Sequence, residues 1–84
     1  MIVDLELYKI NKKFIQDWAQ LNADKNFNTI ISTMALSTGC PCVVVAHWLA
    51  ELYGYPQELI DKINMLCSFY GYTEIKGKPE GCPI

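Results

Sequence analysis

The chain is 84 residues long, 51% hydrophobic and 19% charged, with a net charge of −2 at pH 7. That length supports one core rather than two, and the apolar fraction excludes wholesale disorder. Its seven basic residues are scattered, with Lys12-Lys13 the only adjacent pair, which excludes the clustered phosphate neutralisation that nucleic-acid binding requires.

In chain order, the apolar residues Leu7, Tyr8, Phe14, Ile15, Trp18 and Leu21 predict one amphipathic helix over residues 4–21. A polar break, "NADKN", follows. Ile30, Ile31, Met34 and Ala35 form the stripe of a second helix over residues 28–37, which Gly39 ends. Pro41 suits the first turn of a third helix, where its missing N–H costs nothing, and that helix runs to Tyr53 and Gly54. Pro56 and Glu58 open a fourth, carrying Leu59, Ile60, Ile63, Leu66, Cys67 and Tyr70 to a stop at Gly71. "GKPEGCPI" reads as a Gly/Pro-rich tail. The expected fold is therefore all-α, a single domain over residues 1–84. It divides into an N-terminal helix and linker (1–27), a helical core (28–72) and a tail (73–84). The second and third helices are expected to form a central antiparallel hairpin around Gly39.

No apolar run reaches the length of a membrane span, and the first residues carry Asp4 and Glu6 in place of a basic leader. The expectation is a cytoplasmic protein with no membrane partner, whose four cysteines are thiols rather than a disulfide scaffold. Two Trp, five Tyr and three Phe are much aromatic surface for so short a chain to hide, which favours a homo-oligomer.

The chemistry concentrates in "STGCPCVVVAHW". With a third helix starting at Pro41, Cys40 takes the N-cap, where orphan N–H groups and the helix dipole favour a thiolate. His47, the only histidine, lies two turns along on the same face. The candidate catalytic residues are Cys40, His47 and Cys42, against the plainer reading that each packs as a core side chain. A thiol or disulfide partner, or another small molecule, would suit such a site. No cofactor-binding motif is present. A metal set drawn from Cys40, Cys42, Cys67, Cys82 and His47 lacks the second paired knuckle of a structural zinc site, so no metal is expected. Ala35, Gly39, Val45 and Trp48 also fall at helix-turn-helix spacing, but the would-be recognition helix offers no side chain suited to base edges.

The stretch "NTIISTMALSTGCPCVVVAHWLAELYGYPQELIDKINMLCSFYGY", residues 28–72, resembles the core of the carboxymuconolactone decarboxylase-like superfamily, which includes the alkylhydroperoxidase D-like proteins. Cys40 and His47 fall on the first cysteine and the histidine of its Cys-x-x-Cys-x-x-x-His motif. Val43 stands where the family has its second cysteine, and Asn28 where it has an acidic residue. The resemblance implies an alkylhydroperoxidase D-like helical fold assembled into trimers or hexamers. It also implies a thiol-dependent redox or peroxide-defence role, with Cys40 as nucleophile, His47 as proton shuttle, and Cys42 or Cys82 as resolving thiol. A non-catalytic assembly or ligand-binding module of the same fold, and a helix-turn-helix-like regulator that binds protein, are the alternatives.

Overall fold

A computed structural model describes residues 1–80 and 82–83; Gly81 and Ile84 of the expected tail lie outside the described residues. Four α-helices carry the architecture: α1 (Lys12–Leu21), α2 (Phe27–Thr38), α3 (Cys42–Leu52) and α4 (Gln57–Tyr70). A 3-10 helix (Leu5–Asn11) precedes them, and two short strands, β1 (Ile2–Asp4) and β2 (Glu74–Lys76), bracket the whole.

Local chemistry sets most of these boundaries. Asn26 caps α2, its side-chain oxygen accepting from the Thr29 N–H at 2.9 Å, and satisfies a donor that the first turn leaves orphaned. Gly39 closes α2 at φ 71°, its N–H returning to the Ala35 carbonyl at 2.9 Å. The two prolines sit one position earlier than the sequence suggests: Pro41 and Pro56 are the caps, not the first helical residues. Their φ values of −57° and −63° suit a helix, but ψ values of 146° and 151° leave each outside it. The Pro41 carbonyl still accepts from Val44 and Val45, and the Pro56 carbonyl from Leu59 and Ile60.

The N-terminal segment departs from the single expected helix. Asp4 ends β1 and caps the 3-10 helix by accepting from the Glu6 N–H at 3.1 Å. Three residues per turn, in place of 3.6, shift the phase of everything before Lys12. Of the expected apolar stripe, Ile15 is buried and Tyr8 and Trp18 pack against the core, joined there by Leu5 and Ala19, whereas Leu7, Phe14 and Leu21 are exposed.

The tail also departs from expectation, since part of it is strand. β2 pairs parallel with β1 in the register Ile2↔Glu74, Val3↔Ile75, Asp4↔Lys76. The Thr73 N–H donates to the Met1 carbonyl at 2.9 Å, extending the clasp between the two ends of the chain. The four helices form the connection between the strands, and the molecule is mostly helical with little strand.

α3 is the axis of the structure. Every residue from 43 to 50 is buried, and α1, α2 and α4 all pack against it. "VVVAHWLA" is apolar around its whole circumference apart from one imidazole, the pattern of a helix with no solvent side. No helix among the described residues is long and apolar enough to cross a membrane.

Candidate functional site

Cys40, expected at the N-cap of the third helix, lies one residue before the Pro41 cap, and Cys42 is the first residue of α3. Cys40 is 4% exposed and packs in the core, while Cys42 is half-buried at its edge. The backbone around Cys40 is held tightly. Its N–H donates to Thr38 Oγ1 at 3.2 Å, and that hydroxyl donates to the Met34 carbonyl at 2.6 Å. The Cys40 sulfur accepts from Asn11 Nδ2 at 3.4 Å, so the end of the 3-10 helix bears on the entrance to α3.

His47 is fully buried one turn and a half into α3, and neither ring nitrogen has a hydrogen-bond partner among the described residues. No direct hydrogen bond therefore joins the Cys40 sulfur to the imidazole. Burial, with the Lys78 ammonium adding to it, pushes the imidazole down from its ordinary 6.5 to about 4. At neutral pH the ring is uncharged. Its neighbour Trp48 keeps a buried indole N–H that likewise has no partner among the described residues.

Sequence reasoning passed over a polar cluster on the adjoining face. Lys12 Nζ donates to Glu51 Oε1 at 2.8 Å and stands 5.3 Å from the centroid of the Trp48 ring. Gln16 Nε2 donates to Glu51 Oε2 at 3.2 Å and to the Trp48 carbonyl at 3.0 Å. Two donors, Lys12 and Gln16, thus converge on one carboxylate and fasten α1 to α3. The spacing of Lys12 and Gln16 on one helix face was the available signal.

The remaining thiols stand elsewhere, and all four cysteines are thiols. Burial pushes the Cys67 thiol up. Burial also raises the Tyr72 phenol, with Tyr8, Tyr70, Cys42 and Cys67 adding to the effect. Tyr55 rises for a similar reason, burial first and then the Cys82 thiol beside its hydroxyl. No group of three or more His, Cys, Asp or Glu side chains converges as a metal site among the described residues.

Three shallow hollows among the described residues lie away from the expected catalytic residues. A shallow cavity of about 290 Å³ is lined by Asn64, Cys67, Tyr72, Thr73 and Lys78, among others. One of about 180 Å³ lies over Trp48 and Glu51, beneath the tail residues Gly77 to Glu80. Neither these nor the third, about 230 Å³ beside Phe27, is lined by Cys40, Cys42 or His47. The would-be recognition helix of a helix-turn-helix is α3 itself, and its burial leaves no face for a groove. No family model matches the chain, and neither a curated protein nor a solved structure matches it.

Proposed function

We propose that the chain is a non-catalytic assembly module with an alkylhydroperoxidase D-like helical core, self-associating through the outer face of its 3-10 helix and α1. The observation that carries this reading is where the apolar surface lies. Leu7, Ile10, Phe14 and Leu21 are all exposed, Ile10 to 89%, at separations of three, four and seven residues. Helical residues at those separations share a face, and a row of large apolar side chains in water favours association. Glu6, Lys9, Lys13 and Asp17 flank the row with both signs of charge, so a second copy meets no uniform field. Cys40 and His47 of the expected catalytic site are meanwhile buried, which suits a structural role in a cytoplasmic protein. Sedimentation equilibrium across micromolar concentrations tests the reading. Association that is lost in Ile10→Glu supports it, and a strict monomer at every concentration sinks it.

The thiol-redox reading through Cys40, His47 and Cys42 has one observation in its favour. Asn11 Nδ2 donates to the Cys40 sulfur and so holds that sulfur in one orientation at the entrance to α3. Thiol counting before and after peroxide separates the two. Loss of Cys40 thiol without unfolding supports redox chemistry, and an unchanged count supports the assembly module alone.

A further inference from the structure

Cys42 on α3 and Cys67 on α4 are two partly buried thiols that neither reading brings together. The link between α3 and α4 spans only residues 53–56, and so short a connection turns a helix back along its neighbour. Cys42 stands ten residues before Leu52, the last of α3, and Cys67 ten residues after Gln57, the first of α4. At about 1.5 Å of rise per residue, both lie about 15 Å from the turn, at the same level of the hairpin. Both are half-buried and pack against the core.

Tyr72 supports this placement independently. Its N–H donates to the Cys67 carbonyl at 2.9 Å, which fixes it at the end of α4. Its phenol is raised by burial first and then by Tyr8, Tyr70, Cys42 and Cys67, which puts the Cys42 thiol within electrostatic reach of that same end of α4.

The geometry points to Cys42 and Cys67 as a reversible dithiol–disulfide site across the α3–α4 hairpin, with a low-molecular-weight disulfide as its oxidant. The Cys42 sulfur attacks one sulfur of the incoming disulfide. That S–S bond breaks, one thiolate leaves, and Cys42 carries a mixed disulfide. The Cys67 sulfur then attacks the Cys42 sulfur, expelling the second thiolate and closing the Cys42–Cys67 bond. Two electrons pass from the two protein thiols to the incoming disulfide, and the two thiol protons end on the released thiols. Cys42 leads because burial holds back the Cys67 thiol. Closure cross-links the two helices without involving the Cys40 sulfur, which is buried and held by Asn11. The site is separate from the assembly face on α1 and does not depend on it.

The test uses the full chain, incubated with excess glutathione disulfide at pH 8, trapped with N-ethylmaleimide and weighed intact. The expected result is a fall from four titratable thiols to two, with no retained glutathione and a tryptic link between peptides 26–62 and 63–76. Fragmentation of the linked peptide should place the bond on Cys42. Cys67→Ser should stop at the mixed disulfide and retain one glutathione on Cys42. Where that variant fails to fold by circular dichroism, the map of the unmodified chain decides alone. An unchanged thiol count, a glutathione adduct that persists on Cys42 in the unmodified chain, or a link through Cys40 or Cys82 each overturns the proposal.

Discussion

The side-chain amide of Asn11 donates to the Cys40 sulfur at 3.4 Å and thereby ties the last residue of the 3-10 helix to the residue that leads into α3. The contact joins positions 29 apart in sequence and partly covers the thiol. Asn11→Ala should destabilise the fold by about 0.5–1 kcal/mol, the usual net worth of one such bond. It should also speed alkylation of Cys40. In the unmodified chain Cys40 should label more slowly than Cys42, because burial blocks access. The sequence alone suggests the reverse order, with Cys40 most reactive. Limiting iodoacetamide near pH 6.5, mapped by mass spectrometry, distinguishes the two orders.

The Lys12–Glu51 pair should contribute more than an ordinary surface ion pair. Its side chains are 30% and 26% exposed, and Gln16 holds the second carboxylate oxygen in place. A double-mutant cycle of Lys12→Ala and Glu51→Ala should give a coupling of about 1 kcal/mol, the upper end for partly exposed pairs. Urea denaturation measures it. A coupling near zero would mean that α1 is held to α3 by its apolar face, Ile15 and Ala19, and not by this cluster.

Gly39 and Gly77 share a left-handed backbone, φ 71° and 70°, but not their surroundings. A methyl group added at Gly39 meets nothing within 4 Å, so Gly39→Ala should cost only the backbone strain, about 1 kcal/mol. At Gly77 the added carbon would lie 3.0 Å from Glu6 Cγ and 3.3 Å from the Glu6 nitrogen. Gly77→Ala should therefore cost more and push the tail away from the 3-10 helix. Faster amide exchange in β2, with α2 and α4 unaffected, is the expected signature.

The three later helices were legible because their signals are local. Gly39 and Gly71 both adopt the left-handed conformation that a helix stop requires, and Pro41 and Pro56 stand at the starts of α3 and α4. The ends of the chain were not legible. A three-residue strand is too short to show alternation, and the partner of Ile2 is Glu74, at the far end of the sequence. The 3-10 turn of residues 5–11 hides for a related reason, since its i, i+3 spacing also fits an α-helix. At the candidate site the residue types were readable but their depth was not. Treating Cys40 and His47 as a pair used helical spacing alone. The continuous apolar circumference of "VVVAHWLA" was the signal that the imidazole goes inside.

His47 makes the last prediction, and it follows from a buried imidazole with no hydrogen-bond partner among the described residues. Its folded value is about 4 against 6.5 for an exposed imidazole, so between these two the unfolded chain binds a proton that the folded chain refuses. The stability that the neutral ring confers is fully present above about pH 6.5. It is lost as pH falls toward 4, at up to about 1.4 kcal/mol per pH unit and roughly 3 kcal/mol in all. Below the folded value both states are protonated and the loss stops. Burial is the larger cause, so Lys78→Ala should narrow this window only slightly. His47→Leu should abolish the window. At pH 7 it should leave stability unchanged or raise it by about 1 kcal/mol, since an apolar side chain of similar size replaces two unsatisfied nitrogens. Carboxylates titrate in the same range but are common to both proteins, so the difference between their stability curves isolates the imidazole. Urea denaturation of each at half-unit steps from pH 7.5 to 4 provides those curves. If they run parallel, the ring is not held neutral in the core, and the packing of α3 around it is wrong.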